Sequence, residues 1–183
     1  MARVPYLAKS DLKPADQDLL AREINLNRVL VNSPNGARAF SRLGGFIRNT
    51  STLDPRLREM AILQVGYLAK SRYEYSHHIK IGREFGVSDD DIRALMAETA
   101  GHASKLEPLA QAVLAAAREM VTDLAITDET FARLKAGLSN EHLTDLVITV
   151  SFYCGVVRLL ESLQVDVEDD YLHYLEEFPL PAE

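Results

Sequence analysis

Helix start signals recur along this 183-residue chain, and each precedes a segment with helical spacing of its apolar residues. Ser33-Pro34 and Asp54-Pro55 each place a capping side chain before a proline suited to the first helical position. Ser88, with Asp91 three residues later, has the form of a capping box. No segment alternates convincingly between apolar and polar residues. The pattern predicts an all-α bundle of about seven to eight helices with no sheet.

The composition fits a single globular domain spanning residues 1–183. Apolar residues make up 47% of the chain and charged residues 26%, so a core can form without disulfides or structural metals. The net charge of −7 argues against a nucleic-acid partner, since such proteins usually present a basic face. We therefore expect neither nucleic acid nor a metal or organic cofactor among its ligands.

The cellular location is predicted from what the sequence lacks. No uninterrupted apolar run approaches the roughly 18 residues of a membrane span, and the first residues lack the apolar stretch of a secretory signal. The single Cys154 cannot form an internal disulfide. These features favour a reducing cytoplasmic location without membrane insertion.

Every side chain of the segment Tyr73–His78, YEYSHH, carries a polar group. On a helix that turns by ~100° per residue, Ser71, Glu74 and His78 share one stripe. Glu74 and His78 are four residues apart, within reach of each other, whereas His77 points about a third of a turn away. Such a carboxylate–imidazole pair is suited to proton transfer.

A second carboxylate is expected to reach the same imidazole from the preceding helix. If that helix packs antiparallel across a short turn at residues 70–72, Glu59 approaches the His78 end of the stripe. It would then fix the imidazole tautomer and raise its basicity. Tyr73 and Arg72 are further candidates for proton donation or carboxylate binding, while Arg58 suits a structural ion pair.

Other readings of these residues stay open on spacing alone. A Glu-x-x-x-His pair is often only a surface contact worth a few tenths of a kcal/mol. Glu74-x-x-His77 has the spacing used in di-iron bundles, but the second motif that those sites require is missing. Ser71 and Ser76 stand in no nucleophile-elbow context, which disfavours a serine hydrolase.

The order of these residues resembles the carboxymuconolactone decarboxylase family, which also contains the alkylhydroperoxidase D-like proteins. The resemblance rests on Arg56-x-x-Glu59, then Glu74-Tyr75-Ser76-His77-His78, then Gly86 before a Ser-Asp-rich helix start. It is densest over residues 53–95 and extends over about residues 30–165. The resemblance implies an all-helical fold that assembles as a homotrimer or homohexamer.

The chain differs from the peroxidase branch of that family at the two cysteine positions on which peroxidase activity depends. Proteins of that branch carry a CxxC pair, a downstream histidine and an upstream glutamate. The resemblance puts Ser71 and Glu74 at the cysteine positions, His78 at the histidine and Glu59 at the glutamate. A hydroxyl and a carboxylate cannot form a disulfide, so the peroxidatic cycle should be absent.

The family resemblance favours an enzyme that performs cofactor-independent acid/base chemistry on a small organic acid or lactone. His78, Glu74 and Glu59 are the expected catalytic residues, with Ser71, Tyr73 and His77 in support. Decarboxylation and isomerisation both fit, and lyase activity is the expectation. Two rival hypotheses are a peroxiredoxin-like hydroperoxide reductase that would depend on Cys154, and a non-catalytic oligomeric protein that binds a small ligand.

Overall fold

The computed structural model describes residues 2–181, which contain no β-strand and fold into nine α-helices. Two short 3-10 segments, Lys9–Asp11 and Pro14–Leu20, precede them. The α-helices are α1 (Asn25–Leu30), α2 (Pro34–Asn49), α3 (Pro55–Leu68), α4 (Arg72–Glu84), α5 (Asp89–Thr99), α6 (Pro108–Thr122), α7 (Asp128–Gly137), α8 (Asn140–Leu163) and α9 (Asp169–Glu177).

Helix α3 is the centre of the fold. Every residue from Leu57 to Tyr67 is buried, because α4, α5, α6 and α8 pack around it. A helix that is buried on all sides must place its polar side chains against partners inside the protein. On α3 these buried polar residues are Arg58, Glu59 and Gln64.

Helices α3 and α4 approach closely at a glycine. A Cβ atom on Gly66 would lie 3.1 Å from the backbone nitrogen of Tyr75, so a larger residue would push the helices apart. The short connection between them ends at Ser71, the residue before α4. This connection makes α3 and α4 antiparallel and brings the first half of α3 beside the second half of α4.

Two of the three expected capping side chains form their hydrogen bonds. The Asp54 side chain accepts a hydrogen bond from the backbone N–H of Leu57, and Ser88 forms the capping box with Asp91. Ser33 precedes α2, but its side chain does not accept a capping hydrogen bond. Gly86 follows α4 with φ of +93°, a conformation that glycine adopts without steric cost.

The prediction of seven to eight helices was too low, and the segment after Pro14 does not form the single helix expected of it. A 3-10 segment ends at Leu20, and α1 begins only at Asn25. The N–H of Asn25 donates to Glu168 and that of Leu26 donates to the Tyr73 hydroxyl. These acceptors, distant in sequence, pair with the free N–H groups at the start of a separate helix. The local sequence does not reveal that a helix begins there.

Helix α8 is long and apolar enough, by length and composition alone, to cross a membrane. The statement that the chain holds no such segment was therefore too strong, although Asp145 and Arg158 interrupt the apolar run. Half of its most apolar stretch is buried inside the fold, where it packs against α3. The core helix of a globular domain meets the same criterion as a membrane span.

Candidate active site

Four charged residues from α3 and α4 form a continuous buried chain. The guanidinium of Arg58 donates from Nε and Nη2 to Oε1 of Glu59, both at 3.1 Å. Oε2 of Glu59 lies 2.7 Å from Nδ1 of His78, and Nε2 of His78 lies 2.9 Å from Oε1 of Glu74. All four side chains are at most 5% exposed. Cationic and anionic groups thus alternate from the core outwards.

The charges in this chain stabilise one another. Burial disfavours the imidazolium, but the carboxylates of Glu59 and Glu74 outweigh it and raise the pKa of His78 to about 9. Burial alone would raise the pKa of Glu59, whereas His78 and Arg58 hold it below its ordinary value. At neutral pH His78 is therefore an imidazolium whose Nδ1–H donates to Glu59.

A cavity opens at the outer end of this buried row of charged residues. Glu74 and His78 form part of the cavity wall. The cavity volume is about 120 Å³, close to that of cavities that hold one benzene-sized ligand. Its apolar walls come from α1, α2, α4 and α8 and from the segment before α1. Those apolar residues are Ile24, Leu26, Phe40, Gly44, Ile81, Phe152 and Val156.

Tyr153 adds a hydroxyl to the cavity wall. Its ring meets that of His78 edge-on, with centroids 5.0 Å apart, and it is 4% exposed. Burial and the charges of Glu74 and Glu59 raise the pKa of Tyr153 well above its ordinary value. It is a neutral phenol, and no hydrogen bond holds its hydroxyl within residues 2–181.

Two guanidiniums, from Arg22 and Arg48, also line the cavity. Neither side chain forms an ion pair with any residue of the described part of the chain. Arg48 lies on α2, and Arg22 lies in the break between the second 3-10 segment and α1. The cavity therefore combines a proton-transferring pair with two cationic groups.

A second cluster joins the cavity wall to Glu168 and to α9. The ring of His77 stacks between those of Tyr73 and Tyr171, with centroids 4.0 and 3.7 Å away. Nε2 of His77 lies 3.1 Å from Oε2 of Glu168, although the two atoms are not aligned for a hydrogen bond. Oε1 of Glu168 accepts from the Tyr73 hydroxyl and from the N–H of Asn25. This cluster fastens α1 and α9 onto α4.

The expected site residues take different positions in the structure. Glu74, His78, Tyr73 and His77 line the cavity, whereas Glu59 lies behind His78 with no solvent exposure. Glu59 was expected to be catalytic, but it does not line the cavity, because the imidazole stands between them. Its position suits it to hold and orient His78.

The supporting residues depart further from expectation. Ser71 is buried at the start of α4, and its hydroxyl has no partner among residues 2–181; it is not part of the cavity wall. Arg72 points to an outer groove instead of the cavity, because it lies on the exposed side of α4. The Tyr73 hydroxyl is already engaged by Leu26 and Glu168, which leaves it less suited to proton donation. Arg58 is buried and structural.

Arg22, Arg48 and Tyr153 are among the residues of the cavity wall that sequence reasoning missed. They come from a helix break, from α2 and from α8, at distances in sequence that no local motif spans. Tyr153 lies in an apolar segment whose pattern indicates only a core helix. Among residues 2–181, no group of three or more histidine, cysteine or acidic side chains is arranged as a metal site.

Comparison with known proteins finds a family that part of the chain resembles. Residues 34–119 match the model of the Carboxymuconolactone decarboxylase family. The chain is thus similar to that family over this segment, which is slightly under half of its length. No curated protein matches the sequence.

Several solved structures share the fold. An uncharacterized peroxidase-related protein from Ralstonia eutropha JMP134, described as an alkylhydroperoxidase AhpD core, is 17% identical, with 98% of each chain covered and a TM-score of 0.79. A Cys-to-Ala variant of the debrominase Bmp8 in complex with 2,3,4-tribromopyrrole is 19% identical, covers 97% of this chain and 100% of its own, and has a TM-score of 0.81. A peroxidase-related protein from Silicibacter sp. TM1040 is 16% identical over 92% of each chain, with a TM-score of 0.70.

Proposed function

We propose that this protein is an enzyme that transfers protons to and from a small organic acid or lactone without a cofactor. The observation that carries the proposal is the buried chain Arg58–Glu59–His78–Glu74, which ends in a cavity at the last two residues. An imidazolium and a carboxylate side by side supply both an acid and a base. The surrounding apolar wall strengthens their electrostatic effect on a bound ligand.

Either of two redox-neutral reactions fits this arrangement. In an isomerisation, the Glu74 carboxylate removes a proton from one carbon, the electron pair is delocalised, and a proton returns to another carbon. In a decarboxylation, the bond to a carboxylate breaks, CO2 leaves, and the electron pair enters the unsaturated system. His78 or protonated Glu74 then supplies a proton to the carbon skeleton. The family name supports the second reaction and thus lyase activity.

Thiol-dependent hydroperoxide reduction, which the names of two structural relatives suggest, is the weaker alternative. Cys154 lies on α8 in a groove with Val65 and Val157, and neither Glu74 nor His78 lines that groove. Burial raises the pKa of the Cys154 thiol against the opposing effect of Arg158, which disfavours the reactive thiolate. The chain also has no second cysteine to resolve an oxidised one.

The proposal is tested by a screen of small unsaturated acids and lactones. CO2 release and the exchange of carbon-bound protons in D2O are measured together, beside a hydroperoxide assay with a dithiol donor. We expect catalysed exchange or CO2 release for at least one compound, and no peroxidase activity. Robust thiol-dependent peroxidase activity that disappears in Cys154→Ser would contradict the proposal. A ligand that binds but never reacts would favour the non-catalytic binding protein.

We also propose that the protein assembles as a homotrimer or homohexamer. Helix α8 keeps partly exposed apolar residues, among them Ile148, Phe152 and Leu159, and the family resemblance implies such assemblies. Sedimentation equilibrium at micromolar concentration tests this. A single species at the chain mass of 20.4 kDa would contradict it.

A further inference from the structure

The two arginines of the cavity, exposed Arg22 and half-buried Arg48, are among the arginines that have no carboxylate partner within residues 2–181. Arg38, Arg56, Arg83 and others form ion pairs at 2.5–3.0 Å with neighbouring acidic residues. Arg22 and Arg48 form none with residues 2–181, although the whole chain has 27 acidic residues against 20 basic ones. In so acidic a protein, two unpaired guanidiniums on the wall of one cavity leave room for an anion from outside.

Glu74, the acidic residue of the cavity wall, does not neutralise Arg22 and Arg48. Glu74 is already matched by the imidazolium of His78, and Glu59 behind it is matched by Arg58. The four-residue chain therefore sums to zero charge when His78 is protonated. The charges of Arg22 and Arg48 remain uncompensated at the cavity.

The hydroxyl of Tyr153 supplies a neutral hydrogen-bond donor in the same space. The side chain is more than nine-tenths buried, and its hydroxyl, which has no hydrogen bond within residues 2–181, is free to donate to a ligand in the cavity. The charge of Arg48 is close enough to influence this phenol. A donor and a cation that face the same cavity make a better carboxylate site than either makes alone.

We propose that Arg22, Arg48 and the Tyr153 hydroxyl bind a carboxylate group that the ligand keeps throughout its reaction. This inference rests on the cavity being the site of the proposed function, and it names the groups that would anchor the ligand. Guanidinium groups bind carboxylates through pairs of N–H donors, and Phe40 and Phe152, with ring centroids 4.8 Å apart, supply a wall for a flat unsaturated body.

The proposal distinguishes between the two reactions. A carboxylate paired with guanidiniums is stabilised as an anion, so it is held back from leaving as uncharged CO2. An acid with one carboxylate should therefore undergo proton exchange or isomerisation only. Decarboxylation should require a second acid group, which lies away from the arginines and near Glu74 and His78.

The test uses pairs of a carboxylate and its neutral amide, namely benzoate with benzamide and cinnamate with cinnamamide. Binding is measured by ligand-observed NMR titration, which needs no turnover. We expect at least one carboxylate to bind with a Kd of about 1 mM or below, and its amide about 10-fold or more weakly. Arg48→Gln should remove that preference, because it weakens the binding of the carboxylate and leaves the binding of the amide unchanged.

Arg42→Gln is the matched control, because Arg42 lies on the same helix, is exposed and does not line the cavity. It should bind the carboxylate as the wild-type protein does. The proposal is overturned if neither carboxylate binds, if carboxylate and amide bind equally, or if Arg48→Gln and Arg42→Gln behave alike. If binding depends on Arg48 but no acid in the screen reacts, the carboxylate site stands and the proposed catalysis fails.

Discussion

Nδ1 of His78 lies 2.7 Å from Oε2 of Glu59, a carboxylate with no exposure to solvent. This contact joins the most buried helix of the fold to the wall of its main candidate site. It fixes the orientation of the His78 ring, so that Nε2 is the nitrogen directed towards Glu74 at the cavity. We therefore expect Glu59 to act on the site through His78, without contacting a ligand.

The first prediction concerns the separate roles of Glu59, His78 and Glu74 in catalysis. His78→Ala and Glu74→Gln should each lower kcat roughly 100-fold or more, because each removes a proton-transferring group. Glu59→Gln should lower kcat similarly by reducing the basicity of His78. His77→Ala should have a smaller effect, since its ring belongs to the stack with Tyr171.

These variants are compared on a substrate found in the screen, with circular dichroism to establish that each is folded. Glu84→Gln is the control, because Glu84 lies on the same helix and faces solvent. Full activity in a folded His78→Ala protein would exclude the proposed acid/base site.

The second prediction concerns stability against pH. The pKa of His78 is about 9 in the folded protein and near 6.5 when unfolded, so protonation favours the folded state. The resulting stabilisation is fully present below pH 6.5 and is lost as the pH rises towards 9, for a total of about 3 kcal/mol.

Urea unfolding at pH 6 and pH 9 measures this loss. The fall in unfolding free energy should be markedly smaller in His78→Gln, which cannot titrate. His102→Gln, at an exposed loop position, should retain the wild-type fall. An equal pH dependence in wild type and His78→Gln would show that His78 does not carry a raised pKa.

The third prediction concerns the close approach of α3 and α4. Gly66→Ala should destabilise the protein by about 1–3 kcal/mol, because its new methyl group meets the backbone of Tyr75. Gly45→Ala in α2 is the control, since nothing lies within 4 Å of its Cβ position, and it should be neutral or stabilising by up to ~1 kcal/mol. Thermal unfolding of both variants measures the contrast. Equal effects would mean that the two helices can separate at no cost.

The fourth prediction concerns the attachment of α1. Glu168→Ala removes the acceptor of the Asn25 N–H and the partner of the Tyr73 hydroxyl, which should cost about 1–3 kcal/mol. Amide hydrogen exchange should accelerate at Asn25 and Leu26. Glu176→Ala, on the exposed side of α9, should leave that exchange unchanged. Unchanged protection in Glu168→Ala would show that other contacts hold α1 in place.

The sequence by itself determined the helical class, the caps at Asp54 and Ser88, and the pairing of Glu74 with His78 four residues away. These features depend on local geometry, in which the period of one helix decides which side chains meet. The expected approach of Glu59 also followed from local signals, because a short turn between two helices leaves few arrangements other than antiparallel packing.

Only the tertiary structure decided which of these groups face a ligand. The helix break before Asn25 exists because Glu168, more than 140 residues later, accepts its N–H. The same break and two distant helices bring Arg22, Arg48 and Tyr153 to one cavity. Their meeting depends on how whole helices pack around α3, and no spacing within a single segment encodes that. The packing of α3 against α4 also brings Glu59 to His78, and the carboxylates of Glu59 and Glu74 raise the pKa of His78 against the opposing effect of burial.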